Sequence, residues 1–240
     1  LVFLFFFLSL VVTALNFVIF GVAQQTETLR IQMMLQRIFM FIIPTLLVAY
    51  LWYDKPFKWL RLDKFPGLWQ VVAVVVLSVV LVPFVNVLTA LNAQMVLPEW
   101  MSGVAGWMRT MEDLAAELTI KLLNVNDPFL LLQNMILVAV IPAIGEEFFF
   151  RGGIQNIISD KKNIHVAVWV SAFVFSAIHM QFYGFIPRML LGGLYGYLLF
   201  WSGSLWLPVI AHFVNNGLAV LVYYMRFNGS QMPDPDTLGL

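Results

Sequence analysis

The sequence is built from apolar runs of about 20 residues, the length an α-helix needs to cross a hydrocarbon core roughly 30 Å thick. Seven such runs are read, at 1–22, 33–53, 68–91, 129–158, 164–183, 185–202 and 204–225. Inside lipid only helices and closed barrels satisfy their own backbone groups. Runs this long are helical, so the expected fold is all-α, a polytopic transmembrane bundle of about 7–8 spans. Composition agrees: 61% of the 240 residues are hydrophobic and 11% are charged, whereas a soluble domain is about half apolar. The formal net charge is zero, which gives no electrostatic reason to expect a nucleic-acid partner. Cysteine is absent, which excludes disulfides, thiolate catalysis and Cys-ligated metal.

The run 1–22 is too long for the apolar core of a signal peptide, and no small-residue cleavage site precedes AQQTETLR, so it is read as a first span. An eighth span is available from a segment before Leu1 or from 103–124. The linker 54–67 carries Lys55, Lys58, Arg61 and Lys64, and 159–163 carries Lys161 and Lys162. The connection 92–128 is acidic, with Glu99, Glu112, Asp113, Glu117 and Asp127 against Arg109 and Lys121. The excess of positive charge on cytoplasmic loops therefore assigns 54–67 and 159–163 to the inside and 92–128 to the outside. Within 92–128, Trp107, Met108, Met111, Leu114, Leu118 and Leu122 recur at helical spacing, predicting an amphipathic helix along the outer interface. The expected organisation is an N-terminal set of spans with this interfacial helix (1–127), a second set of spans carrying the chemistry (128–225), and a flexible polar tail (226–240). The expected location is a bacterial cytoplasmic membrane, as a multi-pass integral protein in contact with membrane lipid.

A charge in mid-bilayer costs on the order of 3 kcal/mol on insertion scales, so polar residues inside the spans are functional candidates. They are Arg37, Glu146, Glu147, Arg151, His179, Arg188, His212, Asn215 and Asn216. Arg37 and Arg188 lie near helix ends and are expected to snorkel to the interface. Glu147 and Arg151 are four apart and can pair on one helix face, which leaves Glu146 without a local partner. His212 and Asn216 are also four apart. If the fourth span runs to about residue 158, Glu146 lies about 18 Å from the inner edge, with His179 about 22 Å and His212 about 12 Å deep, at 1.5 Å per residue. Three helices can then bring Glu146, His179 and His212 to a common depth. A break at Pro142 or Gly145 would undo this.

Such a set suits hydrolysis of an amide by an activated water. Glu146 would act as general base, neutral His179 and His212 would hold the water or donate a proton, and the Asn216 amide would stabilise an oxyanion. Glu146, His179 and His212 are also a legitimate zinc ligand set with an open position, which makes zinc an alternative cofactor, with Glu147 as a second carboxylate. HExxH is absent. A serine mechanism is a minor alternative: Ser176 lies three residues before His179, but neither Ser171 nor Ser176 sits in GxSxG.

Glu146, Glu147 and Arg151 in EEFFFR, Phe175 and His179 in FVFSAIH, and His212 and Asn216 in HFVNN follow one another along the chain. These segments resemble, in order, the EExxxR, FxxxH and HxxxN motifs of the CPBP family. That family comprises type II CAAX prenyl proteases and bacteriocin-processing or immunity proteins, also called Abi. The resemblance covers about residues 128–220. It implies a glutamate-dependent intramembrane endopeptidase in which Glu146 and His179 position the attacking water, His212 and Asn216 stabilise the tetrahedral intermediate, and Glu147 and Arg151 support them. Family members are also labelled metalloproteases. The implied substrate is a membrane-associated peptide or protein, prenylated or carrying a leader. The eukaryotic CAAX enzymes have eight spans against the seven read here. Two readings compete: a catalytically silent immunity or binding protein on the same fold, and an ion-coupled transporter. Transporters of that kind repeat their polar, interrupted helices in both halves, whereas the polar residues here fall in the second.

Overall fold

The structure is a computed structural model that describes residues 1–21 and 25–230. Most of the expected flexible tail, from 231 on, lies outside the described residues. Those described are helical, without a strand. The main helices are α1 (Val2–Phe20), α2 (Thr26–Trp52), α3 (Leu68–Ala93), α4 (Ser102–Leu123), α5 (Pro128–Ser159), α6 (Ile164–Ala177), α7 (Phe185–Ser202) and α8 (Trp206–Phe227).

Five of these, α1, α2, α3, α5 and α8, are long and apolar enough to cross a membrane. The other two expected spans are α6 and α7. The run at 164–183 was read too long: α6 has 14 residues and ends at Ala177, about 21 Å at 1.5 Å per residue. Beyond it the chain turns through i→i+3 bonds, His179 N–H to Ser176 O and Met180 N–H to Ala177 O. Met180 then takes a left-handed backbone conformation, φ 57°, which a helix cannot continue. His179 therefore lies on the turn joining α6 to α7 and not within a helix. The predicted amphipathic helix at 103–124 is α4. It buries Met108, Leu122 and Leu123 and leaves Trp107 and Leu114 exposed.

Helix α5 does not break at Pro142 or Gly145. It absorbs its proline by widening into a π-helical turn at Met135–Val140, and it carries a second π segment at Phe148–Gln155. Proline offers no N–H and crowds the carbonyl four residues earlier, and a π turn makes room at that point. Helix α2 does the same, with a π segment at Ile38–Ile42 just before Pro44.

Every residue from 145 to 156 is buried, so this part of α5 is enclosed on all sides. The three consecutive phenylalanines serve two different cores. Phe149 and Phe150 pack with Phe5, Phe41, Ile154 and Phe175, and Phe148 packs with Leu199 and Leu205. At one end of α5 the linker 54–67 is tied to the second half through its carbonyls. Asn156 Nδ2 donates to Trp59 O at 2.8 Å, Leu205 N–H to Arg61 O at 2.9 Å, and the Ser204 hydroxyl to Lys64 O at 2.6 Å.

Candidate active site

Glu146 and Glu147 close the short α-helical stretch between the two π segments of α5. Being adjacent, they point in different directions and find different partners. Glu147 Oε1 accepts from Arg151 Nη1 at 2.9 Å and from His212 Nδ1 at 2.9 Å. Its other oxygen is buried without a hydrogen-bond partner in the protein, as is Arg151 Nε. Both side chains of this pair are fully buried. Arg151 also donates from Nη2 to Gly192 O at 2.8 Å, and its guanidinium lies 4.6 Å from the Phe175 ring centre and 5.4 Å from that of Tyr195.

One turn further along α5, Gln155 repeats the pattern, donating from Nε2 to Gly196 O at 3.1 Å. Positions 147, 151 and 155 thus form a polar ladder whose last two rungs reach the backbone of α7 at residues four apart. That approach requires glycine on α7. A Cβ at Gly192 would stand 3.0 Å from Arg151 Nη2, and one at Gly196 would stand 2.7 Å from Gln155 Oε1.

Glu146 was expected to lack a local partner, and Arg37 was expected to snorkel. Glu146 indeed has no partner close in sequence, but the expectation for Arg37 is corrected: Arg37 Nη1 is ion-paired with Glu146 Oε1. The pairing joins positions 109 apart, so no short-range pattern reveals it. Arg188 does not simply reach for the interface either. It donates to Gln181 O at 3.1 Å and to Gln181 Oε1 at 3.0 Å, across the α6–α7 turn.

The second oxygen of Glu146, Oε2, faces both imidazoles, 3.8 Å from His179 Nε2 and 4.0 Å from His212 Nε2. These separations exceed a hydrogen bond. The opposite nitrogens fix both rings. His179 Nδ1 is 2.7 Å from Phe175 O, and a carbonyl only accepts, so Nδ1 carries the proton. His212 Nδ1 faces the Glu147 carboxylate and is protonated for the same reason. Nε2 is therefore the nitrogen that each ring turns toward Glu146. Tyr195 stacks on His212 with centroids 5.2 Å apart and planes 19° apart, and Phe175 packs edge-on against His179 at 5.0 Å. The cluster is closed except at two side chains: Arg37 is 31% and His179 22% exposed, against 2% for Glu146.

Glu146, Glu147, Arg151, His179 and His212 thus meet in one place, whereas the hydrogen bonds of Asn216 run elsewhere. Its Nδ2 donates to Val138 O at 3.2 Å, and its Oδ1 lies 3.5 Å from Asn215 Nδ2. Val138 is four residues before Pro142, so its carbonyl is the one that proline cannot serve. Both candidate serines are engaged away from the cluster, Ser176 donating to Phe185 O at 2.7 Å and Ser171 to Phe150 O at 2.9 Å.

Among the described residues no three His, Asp or Glu side chains are arranged as metal ligands. Oε1 of Glu146 is moreover taken by a fixed cation, Arg37, which opposes a second positive charge on the same carboxylate. The residues as placed do not fit a resident zinc ion.

Sequence reasoning missed Tyr195 and Gln155. Gln155 was findable, as the third polar residue of a four-residue repeat facing Gly192 and Gly196. Tyr195 follows that same glycine stripe, but an aromatic residue in an apolar helix gives no separate signal.

The fold and the cluster together define a multi-pass helical membrane protein with a buried glutamate–histidine site. Residues 128–218 match the family described as type II CAAX prenyl endopeptidase Rce1-like, in agreement with the three motifs. A curated relative, the uncharacterized protein YpbD of Bacillus subtilis (strain 168), is 28% identical over 100 residues, which are 40% of this chain and 48% of the relative. The chain thus matches about half the length of that curated relative. No solved structure matches.

Proposed function

We propose that the chain is an intramembrane endopeptidase of CAAX type that cleaves a membrane-associated peptide or protein, in a bacterial cytoplasmic membrane, with a water activated by Glu146. The observation that carries the reading is the position of Glu146 Oε2 against two imidazole Nε2 atoms at 3.8 and 4.0 Å. A water between them gives one hydrogen to the carboxylate and one to an imidazole, and keeps a lone pair for a carbonyl carbon. In the attack the water oxygen bonds that carbon while its proton passes to Glu146 Oε2, and the carbonyl π pair moves onto oxygen as an oxyanion. Collapse breaks the C–N bond, and the proton leaves with the amine. General-base assistance of this kind contributes about 10²–10⁴-fold.

His212, held at Nδ1 by Glu147, takes the water's proton at Nε2 from Glu146 Oε2, 4.0 Å away, before collapse and as the imidazolium donates it to the oxyanion; Arg151 keeps Glu147 in place for this. His179 orients the water. Asn216 has one Nδ2 hydrogen committed to Val138 O and one left for the oxyanion. The substrate reaches the cluster beside Arg37 and His179, its two partly exposed members. Residues 1–127 form the supporting spans and 128–225 the catalytic region.

The test is cleavage of a membrane-anchored peptide library by purified protein and by Glu146→Ala, each with and without a chelator. The proposal expects products from the unmodified protein at equal rates with and without chelator, and none from the variant. Equal turnover by both proteins sinks Glu146 as the base. Loss with chelator and recovery with zinc transfers the reading to a metallopeptidase.

A further inference from the structure

We infer that Arg37 is a positioning residue of the site, one that fixes the Glu146 carboxylate by a single oxygen so that the other is aimed at the two imidazoles. The inference rests on Glu146 being the base, and it adds to the motif set a residue from the half of the chain that the family match does not cover.

The local structure brings Arg37 there. It is the last residue of the α-helical part of α2, immediately before the π segment Ile38–Ile42. That segment packs on α5 beside the glutamates: Gly145 lies against Phe41 and Ile42, where an added Cβ would stand 3.4 Å from Phe41 Cβ. The guanidinium passes 6.0 Å from the Phe41 ring centre and ends on Glu146 Oε1.

Arg30, about two turns earlier on α2, is committed to Glu27 and to Leu122 O. The division of labour across the carboxylate is what separates positioning from simple charge balance. Oε1 carries the cation, and Oε2 is left to His179 and His212. The same asymmetry holds at Glu147, where Oε1 carries both Arg151 and His212. Each glutamate of the pair is therefore anchored by one arginine, Glu147 from within α5 and Glu146 from α2. A carboxylate free to rotate loses the alignment with both imidazoles at once, and misplacement of a catalytic group by about 1 Å lowers rates on the order of 100-fold.

The experiment compares kcat and KM in proteoliposomes for the unmodified protein, Arg37→Met, Arg37→Lys and Glu146→Gln, with melting temperatures as the folding control. Arg37→Met is expected to lose about 100-fold in kcat with KM within about threefold. Arg37→Lys, which keeps the cation, is expected to lie within about tenfold of the unmodified protein. Free guanidinium is expected to raise turnover of a folded Arg37→Ala variant. Unchanged kcat in Arg37→Met, alongside an inactive Glu146→Gln, overturns the inference and leaves the peptidase reading standing. Full activity of Glu146→Gln fells that reading itself. If Arg37→Met does not fold, the decision passes to Arg37→Lys: a folded lysine variant as inactive as Glu146→Gln overturns the inference, and one retaining turnover supports it.

Discussion

Helices α3 and α5 are both long apolar runs, yet they end up in opposite environments. Only 11% of the spanning window of α3 is buried against the rest of the protein, and Val72, Val76, Val80, Phe84 and Val87 face outward. In α5 the whole stretch 145–156 is enclosed. Hydropathy alone does not separate the two. What separates them is the polar ladder of Glu147, Arg151 and Gln155, which only a protein interior can satisfy, and the glycines of α7 that let it close. A lipid-facing helix needs nothing but apolar surface. A central helix needs a partner for each polar group, and those partners fix its neighbours.

The largest expected stability effect is at the buried pair. Arg151→Met leaves the Glu147 carboxylate uncompensated at zero exposure, and removal of one partner of such a pair costs about 3–5 kcal/mol. Adding Glu147→Gln to the same protein is expected to recover much of that loss. Unfolding in detergent of both single variants and the double variant measures the coupling. Next comes Gly196→Ala, whose new Cβ meets Gln155 Oε1 at 2.7 Å and Val168 Cγ1 at 2.9 Å; overpacking of this kind costs about 1–3 kcal/mol, read as a lowered midpoint.

Asn216→Ala removes the partly buried hydrogen bond to Val138 O and the long one from Asn215, for a stability loss of about 0.5–1.5 kcal/mol. Its activity sharpens the comparison further. A fall of about 10²–10³-fold marks a lost oxyanion donor, and a fall that only follows stability leaves Asn216 as the partner of the Val138 carbonyl. Smallest is Val80→Leu on the outer face of α3, 65% exposed, expected to stay within about 0.5 kcal/mol. A large loss there would mean that α3 is packed against a partner and not against lipid.

The sequence makes legible whatever depends on composition and short spacing. Helical spans, the Glu147–Arg151 pair at four residues and the three ordered motifs all follow from it. What it hides is set by long-range packing. Arg37 lies one turn into an apolar run, where an arginine can equally snorkel or pair, and its choice of Glu146 depends on how α2 crosses α5. The π turns are invisible as well, because proline announces a disturbance without saying whether the helix breaks, kinks or widens. Helix α6 was read too long because Ile178, Met180 and Phe182 continue the apolar pattern past the turn. The Asn216 bond to Val138 O needed both the HxxxN spacing and the position of Pro142 on another helix.

The most direct measurement of the central claim, a water activated on Glu146, is single-turnover cleavage of a defined membrane-anchored peptide in ¹⁸O-labelled water with hydroxylamine present. Direct attack by water predicts one ¹⁸O in the new carboxylate, no hydroxamate product, and loss of both cleavage and label in Glu146→Gln. A peptide hydroxamate, or labelled product at the unmodified rate from Glu146→Gln, would contradict it.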